Sequence, residues 1–114
     1  MSISITVAPT VKFQVKGSIK DETGADKSFT FGLTCNRIEE EAITERMSGF
    51  TGSITNFAVE FLESAIIDWS EVLDDSKKPV PYSADAWRQL CRIPGLPVVA
   101  LAAYRQESGA KAKN

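Results

Sequence analysis

The densest group of chemically capable side chains in the sequence is a run of carboxylates, Glu39, Glu40 and Glu41, with Glu45 one turn later. Carboxylates are usual ligands of hard divalent cations, so a metal site is the first hypothesis to weigh. Consecutive helical residues point in different directions, and three adjacent glutamates therefore cannot converge on one ion. Acidic residues are favoured in the first turn of a helix, where they complement the helix dipole. The run predicts a solvated helix start, and we predict no metal-binding residue.

Nucleophilic catalysis finds little support either, because the sequence contains no histidine. That absence removes the commonest general base and every Ser–His or Cys–His arrangement. Cys35 and Cys91 occupy positions where small apolar core residues are expected. Segment 49–53 contains two glycines but lacks the lysine and the spacing of a phosphate-binding loop, so incidental anion binding is the most it offers. We predict no catalytic residue, no cofactor-binding residue and no cofactor, and hence no enzyme.

Length and composition favour one small globular domain spanning residues 1–114. The net charge of -2 leaves no basic excess for nucleic acid, and no apolar run approaches the length of a membrane-spanning helix. The first residues do not resemble a secretory signal, so we expect a cytoplasmic protein with reduced thiols. A Cys35–Cys91 disulfide is the minor alternative.

Strict alternation predicts an antiparallel β-hairpin in the first third of the chain. Apolar residues alternate with polar ones from Val11 to Lys16 and again from Phe29 to Cys35. The polar segment 20–26 between these runs contains Gly24 and is typical of a turn. Residues 1–9 are expected to form an N-terminal arm or a short extra edge strand.

Four helices are predicted after the hairpin. The first begins after Asn36, and the clearest runs from Ile54 to Trp69 with apolar residues at three- and four-residue spacing. Ser83 is expected to cap a third helix, and Pro97 is expected to open the fourth. Residues 108–114 are predicted to be a flexible tail. Strands followed by helices indicate an α+β fold.

The helical half of the chain resembles the small tail assembly chaperones of long-tailed bacteriophages. The resemblance is most specific over residues 66–104, where Ile66–Trp69 precedes a polar turn, Pro79–Ser83, a short helix, Ile93–Gly95 and a helix ending in Ala103–Tyr104. It extends more weakly to the hairpin, so that it covers most of residues 11–114.

Such a resemblance implies a protein without enzymatic activity that binds the tape measure protein in the bacterial host cytoplasm. It keeps that long apolar protein soluble and promotes tail tube assembly, with the tail tube protein as a further partner. Members of the family self-associate, are absent from the mature virion, and in many cases have a longer form made by ribosomal frameshifting. The resemblance therefore implies a homo-oligomer, while the charge and the apolar run lengths predict no nucleic-acid or membrane partner.

A chaperone needs exposed apolar surface, and we hypothesise that the predicted helix Ile54–Trp69 supplies it, with Phe57, Phe61 and Ile66 as anchors. The competing assignment places these three side chains inside the core of the monomer. Two other functions remain open. One is a structural phage tail or head-completion protein, and the other is a small ligand-binding or regulatory domain.

Overall fold

A computed structural model describes residues 2–112 and shows an α+β fold in these residues, as the sequence predicts. A three-stranded antiparallel sheet with strand order β1-β2-β3 lies against helices on one face. The elements are β1 (Thr10–Lys20), β2 (Asp26–Asn36), α1 (Glu40–Gly49), α2 (Ile54–Ala65), β3 (Ile66–Ser70), α3 (Ala84–Leu90) and α4 (Leu96–Ser108).

The predicted hairpin is confirmed. Val15 pairs with Phe31 and Phe13 with Leu33, so that one face of both strands is buried. At the turn, the Asp21 carboxylate accepts main-chain hydrogen bonds from Thr23 and Ala25 at 2.9 and 3.1 Å. Gly24 has a φ of 85°, a left-handed conformation that glycine adopts without strain. The alternation and the turn chemistry therefore determine this part of the fold together.

The prediction of a helix from Ile54 to Trp69 is wrong beyond Ala65. α2 ends there, and the chain passes directly into β3, which pairs with β2. Cys35 pairs with Ile66 and Thr34 with Asp68, so Ile67 is an extra, unpaired residue that forms a β-bulge. The bulge shifts the side-chain alternation, and Ile66 and Trp69 consequently face the core together. Their three-residue spacing imitates a helix although they belong to a strand.

Helix starts match the sequence in two places and differ in a third. Ser53 and Ser83 accept main-chain hydrogen bonds from Asn56 and Ala86 at 3.1 and 3.0 Å, as N-cap residues do. By contrast, α1 begins only at Glu40, because Asn36 is still paired with Thr10 in the hairpin. The acidic run nevertheless lies at the start of α1 as expected.

Both ends of the described chain lie outside the strands and helices. Residues 2–9 form no strand, so within the described chain they are an arm and not an edge strand. The third strand of the sheet is β3. α4 continues to Ser108, and residues 109–112 of the expected tail lie outside it, while Lys113 and Asn114, like Met1, are outside the described residues. None of the described helices is long and apolar enough to cross a membrane.

Candidate protein-interaction surface

The three residues predicted to anchor a partner lie in the core. Phe57, Phe61 and Ile66 are only 5, 3 and 5 % exposed. The Phe57 and Phe61 rings stack with centroids 5.6 Å apart, and Tyr104 covers Phe61 edge-on at 5.4 Å. The Phe61–Tyr104 contact joins α2 to α4, and the burial of all three side chains favours the competing assignment, in which they stabilise the monomer.

Both tryptophans are buried and tie separate elements together. The Trp87 indole nitrogen donates a hydrogen bond to the Val59 carbonyl at 3.0 Å, which joins α3 to α2. Trp69 donates to the Val80 carbonyl at 2.7 Å and meets the Tyr82 ring edge-on at 5.2 Å. The segment between the two prolines around Val80 is thereby held against β3. This segment leads into the Ser83 cap of α3.

An apolar recess on the surface is a groove of about 200 Å³ at the far half of the hairpin, which we call the hairpin groove. Ile19 and Leu73 are 42 and 54 % exposed at its rim. It is lined by Ile19, Phe29, Thr30, Phe31, Glu71, Val72, Leu73, Leu90, Ile93 and Leu96. Only one of these residues is charged, so the groove presents hydrocarbon to whatever enters it.

The hairpin groove exists because the hairpin extends beyond the helices that cover its base. Phe29 lies directly over Gly17 on the neighbouring strand, where an added Cβ would come within 2.5 Å of the phenyl ring. The ring therefore lies flat across β1 and stacks on Phe31 with centroids 6.3 Å apart. Gly17 thus shapes the floor of the groove by its lack of a side chain.

A tight loop presents Leu73 on the other side of the groove. Leu73 forms an isolated β-bridge with Pro79, and Asp74 accepts main-chain hydrogen bonds from Ser76 and Lys78 at 2.8 and 3.0 Å. These bonds close the polar turn and hold its stem in place. Leu73 is exposed because of the loop geometry and not because the local chain is disordered.

Sequence reasoning missed the hairpin groove, although part of the pattern was present. Ile19 continues the alternation of β1 by four residues beyond Val15 and falls on the same face. A strand that remains apolar after its helical cover has ended leaves an exposed apolar face. Leu73 carried no comparable pattern, because its exposure depends on the bridge to Pro79.

A second cavity of about 640 Å³ lies between α2, α3 and the 49–53 loop. Its charged residues are of both signs, since Glu60 lies beside Arg88 and Arg92, and Arg88 is paired with Glu63 outside the cavity lining. Burial raises the pKa of the Cys91 thiol to about 12 despite the opposing influence of Arg88. The thiol is therefore protonated at neutral pH and is a poor nucleophile.

The remaining chemical predictions concern the two cysteines and a metal site. Cys35 and Cys91 are free thiols, and burial raises the pKa of Cys35 to about 12 as well. Within residues 2–112, no three His, Cys, Asp or Glu side chains are grouped so that they could hold a metal ion.

Comparisons of the chain with protein-family models, with curated proteins and with solved structures found no match.

Proposed function

We propose that this protein is a tail assembly chaperone of a long-tailed bacteriophage or prophage. In this proposal it self-associates and binds an apolar helical segment of the tape measure protein. It keeps that protein soluble in the host cytoplasm until tail tube subunits assemble around it, and it leaves before the virion is complete. The proposal rests on the resemblance over residues 66–104 together with one structural observation, the hairpin groove.

The hairpin groove supports the proposal because it offers what an apolar helical client needs. Helices commonly dock by inserting apolar residues, spaced three or four positions apart, into a groove of this kind. Phe29 and Phe31 form an aromatic floor, and Ile19 and Leu73 form raised apolar sides. Such a surface on a monomer is unfavourable in water and is stabilised when a partner covers it.

The test is co-expression with the tape measure protein of the phage or prophage that would carry this gene, with the soluble client measured by quantitative blotting after centrifugation. We expect a large increase in soluble client and a complex that elutes together in size exclusion. We also expect this protein to be missing from purified virions, whereas a structural tail or head-completion protein would be retained there. A client that stays insoluble, or a stoichiometric band in virions, would contradict the proposal.

The cavity between α2 and α3 favours the small-ligand alternative more than any other feature does. Two guanidinium groups, Arg88 and Arg92, border it, but Glu60 also lines the cavity and Glu63 is already paired with Arg88. A ligand that binds there would raise the melting temperature in a saturable way. Inorganic phosphate and common nucleotides, added at millimolar concentration, provide the direct comparison.

A further inference from the structure

We infer that the N-terminal arm of one copy, residues 2–8, adds as a strand to the free edge of β1 in a second copy. The inference rests on the self-association included in the proposed function, but not on the identity of the client. It specifies which segment is exchanged and which surface receives it.

The arm has the composition of a strand without a partner. Ile3, Ile5 and Val7 alternate with Ser4 and Thr6, and residues 2–8 carry no charge and no glycine. The three apolar side chains are 88, 103 and 64 % exposed. β-branched residues in strict alternation favour an extended strand with one apolar face. Their exposure in the monomer is unfavourable, and pairing with a sheet would remove it.

The receiving surface combines a long strand edge with a groove of mixed polarity. β1 has 11 residues and lies at the edge of the sheet, so about half of its main-chain groups have no strand of residues 2–112 beside them. Beside this edge, a groove of about 650 Å³ runs between β1 and α4. Its apolar lining consists of Phe13, Val99, Ala102 and Ala103, and its polar lining of Lys12, Gln14, Lys16, Gln106 and Glu107. Val99 is 38 % exposed, and Ala102 is exposed as well.

The arm fits along the receiving edge in length. The seven residues of the arm extend over roughly 23 Å, well within the roughly 36 Å of β1. When Ile5 faces the groove, Ile3 and Val7 do so as well, because side chains alternate along a strand. Ser4 and Thr6 then lie on the opposite face of the arm. Lys12 and Lys16 also line the groove, so the hydrocarbon that the arm contacts comes from Phe13, Val99, Ala102 and Ala103.

Geometry indicates that the exchange takes place between copies. The Arg37 main-chain N–H donates to the Pro9 carbonyl at 2.8 Å, and its guanidinium donates to the Ala8 carbonyl at 3.0 Å. These bonds hold the end of the arm in line with β1, and the arm therefore cannot turn back onto the β1 of its own chain. The other sheet edge, β3, has only five residues and is a much shorter template.

The test is disulfide trapping between two full-length chains that carry different tags and the change Cys91→Ser. One chain carries Val99→Cys, and the other carries Ile3→Cys, Ile5→Cys or Val7→Cys. We expect oxidation to join the two tags for at least one of these pairs. Ser4→Cys and Thr6→Cys, on the opposite face of the arm, are the matched controls and should remain unlinked. Equal linkage from both faces, or none from either, would overturn the inference.

Light scattering on the purified chain provides the second measurement. Replacing Ile3, Ile5 and Val7 together with serine should produce monomers with an unchanged circular dichroism spectrum, because the arm lies outside the core. Val99→Glu should weaken association at least about tenfold, the effect expected from losing one buried apolar side chain. If the serine variant has the same mass as the original protein, the arm does not carry the association. These experiments contain no client. Self-association through the arm can therefore fail while client binding succeeds, and client binding can fail while self-association succeeds.

Discussion

The Tyr104 hydroxyl, on the last helix, donates a hydrogen bond of 2.8 Å to the Asn36 main-chain carbonyl at the end of β2. The same oxygen accepts a bond of 2.9 Å from the Ile38 main-chain N–H. Tyr104 is fully buried, and its ring packs edge-on against Phe13 and Phe61. One side chain therefore joins α4 to the sheet, to α2 and to the linker that leads into α1.

We expect Tyr104→Phe to lower the free energy of unfolding by about 1–3 kcal/mol, because it leaves main-chain groups of Asn36 and Ile38 without a partner while the ring is kept. Urea denaturation followed by circular dichroism measures the change. Tyr82→Phe is the matched control, since the ring packs on Trp69 and no hydrogen bond of its hydroxyl is found within residues 2–112. Equal losses in both variants would show that the bridge contributes nothing.

Gly17→Ala should destabilise the protein by about 1–3 kcal/mol, because the new methyl group would overlap the Phe29 ring. Phe29→Ala in the same chain removes the overlap, so the double variant should be more stable than the two separate losses predict. Gly49→Ala, at the end of α1 with nothing within 4 Å of the added atom, should be neutral or stabilising by up to about 1 kcal/mol. Thermal melts of the original protein, Gly17→Ala, Phe29→Ala and the double variant test this coupling.

Stability should fall at high pH. Burial raises the pKa of Cys35 from 9.0 to about 12, so the unfolded chain loses this proton before the folded chain does. The contribution is therefore fully present below about pH 9 and is lost as the pH rises from 9 towards 12. Burial also raises the pKa values of Cys91 and Tyr104, which act in the same direction.

Urea midpoints measured at pH 8, 9.5 and 11 test this dependence. We expect the decline in Cys35→Ala to be shallower than in the original protein, because one of the titrating groups is gone. The variant is less stable at pH 8, but the difference between the two proteins should narrow at pH 11. Parallel pH curves would contradict a buried, protonated Cys35.

Leu73→Glu should reduce binding of the tape measure client at least about tenfold, because it places a carboxylate in the apolar wall of the hairpin groove. Leu73 is half-exposed, and we expect the melting temperature to stay within a few degrees of the original. Val99→Glu, at the β1–α4 groove, is the matched control and should affect self-association instead. Co-purification and light scattering on both variants separate the two surfaces, and identical effects would argue against two distinct sites.

Periodic patterns made much of this fold predictable. Alternation identified both strands of the hairpin, apolar spacing located the start of α2 at Ile54, and the predicted Ser83 cap located the start of α3. The end of α2 was not predictable in this way. Ile66 and Trp69 have the spacing of a helix face, and only pairing with β2 through a bulge reveals them as parts of a strand. Local spacing cannot report such a pairing, because the partner residues are more than thirty positions away.

The sequence by itself determined that the chain carries no histidine, that a β-hairpin precedes the helices, and that apolar residues cluster at Phe57 and Phe61. Only the tertiary structure decided which apolar residues are covered. Phe57, Phe61 and Ile66 are buried in the core between the helices and the sheet, whereas Ile19 and Leu73 stay 42 and 54 % exposed because the helices cover the far half of the hairpin only in part. Hydrophobicity is a property of a side chain, but exposure depends on the elements packed around it.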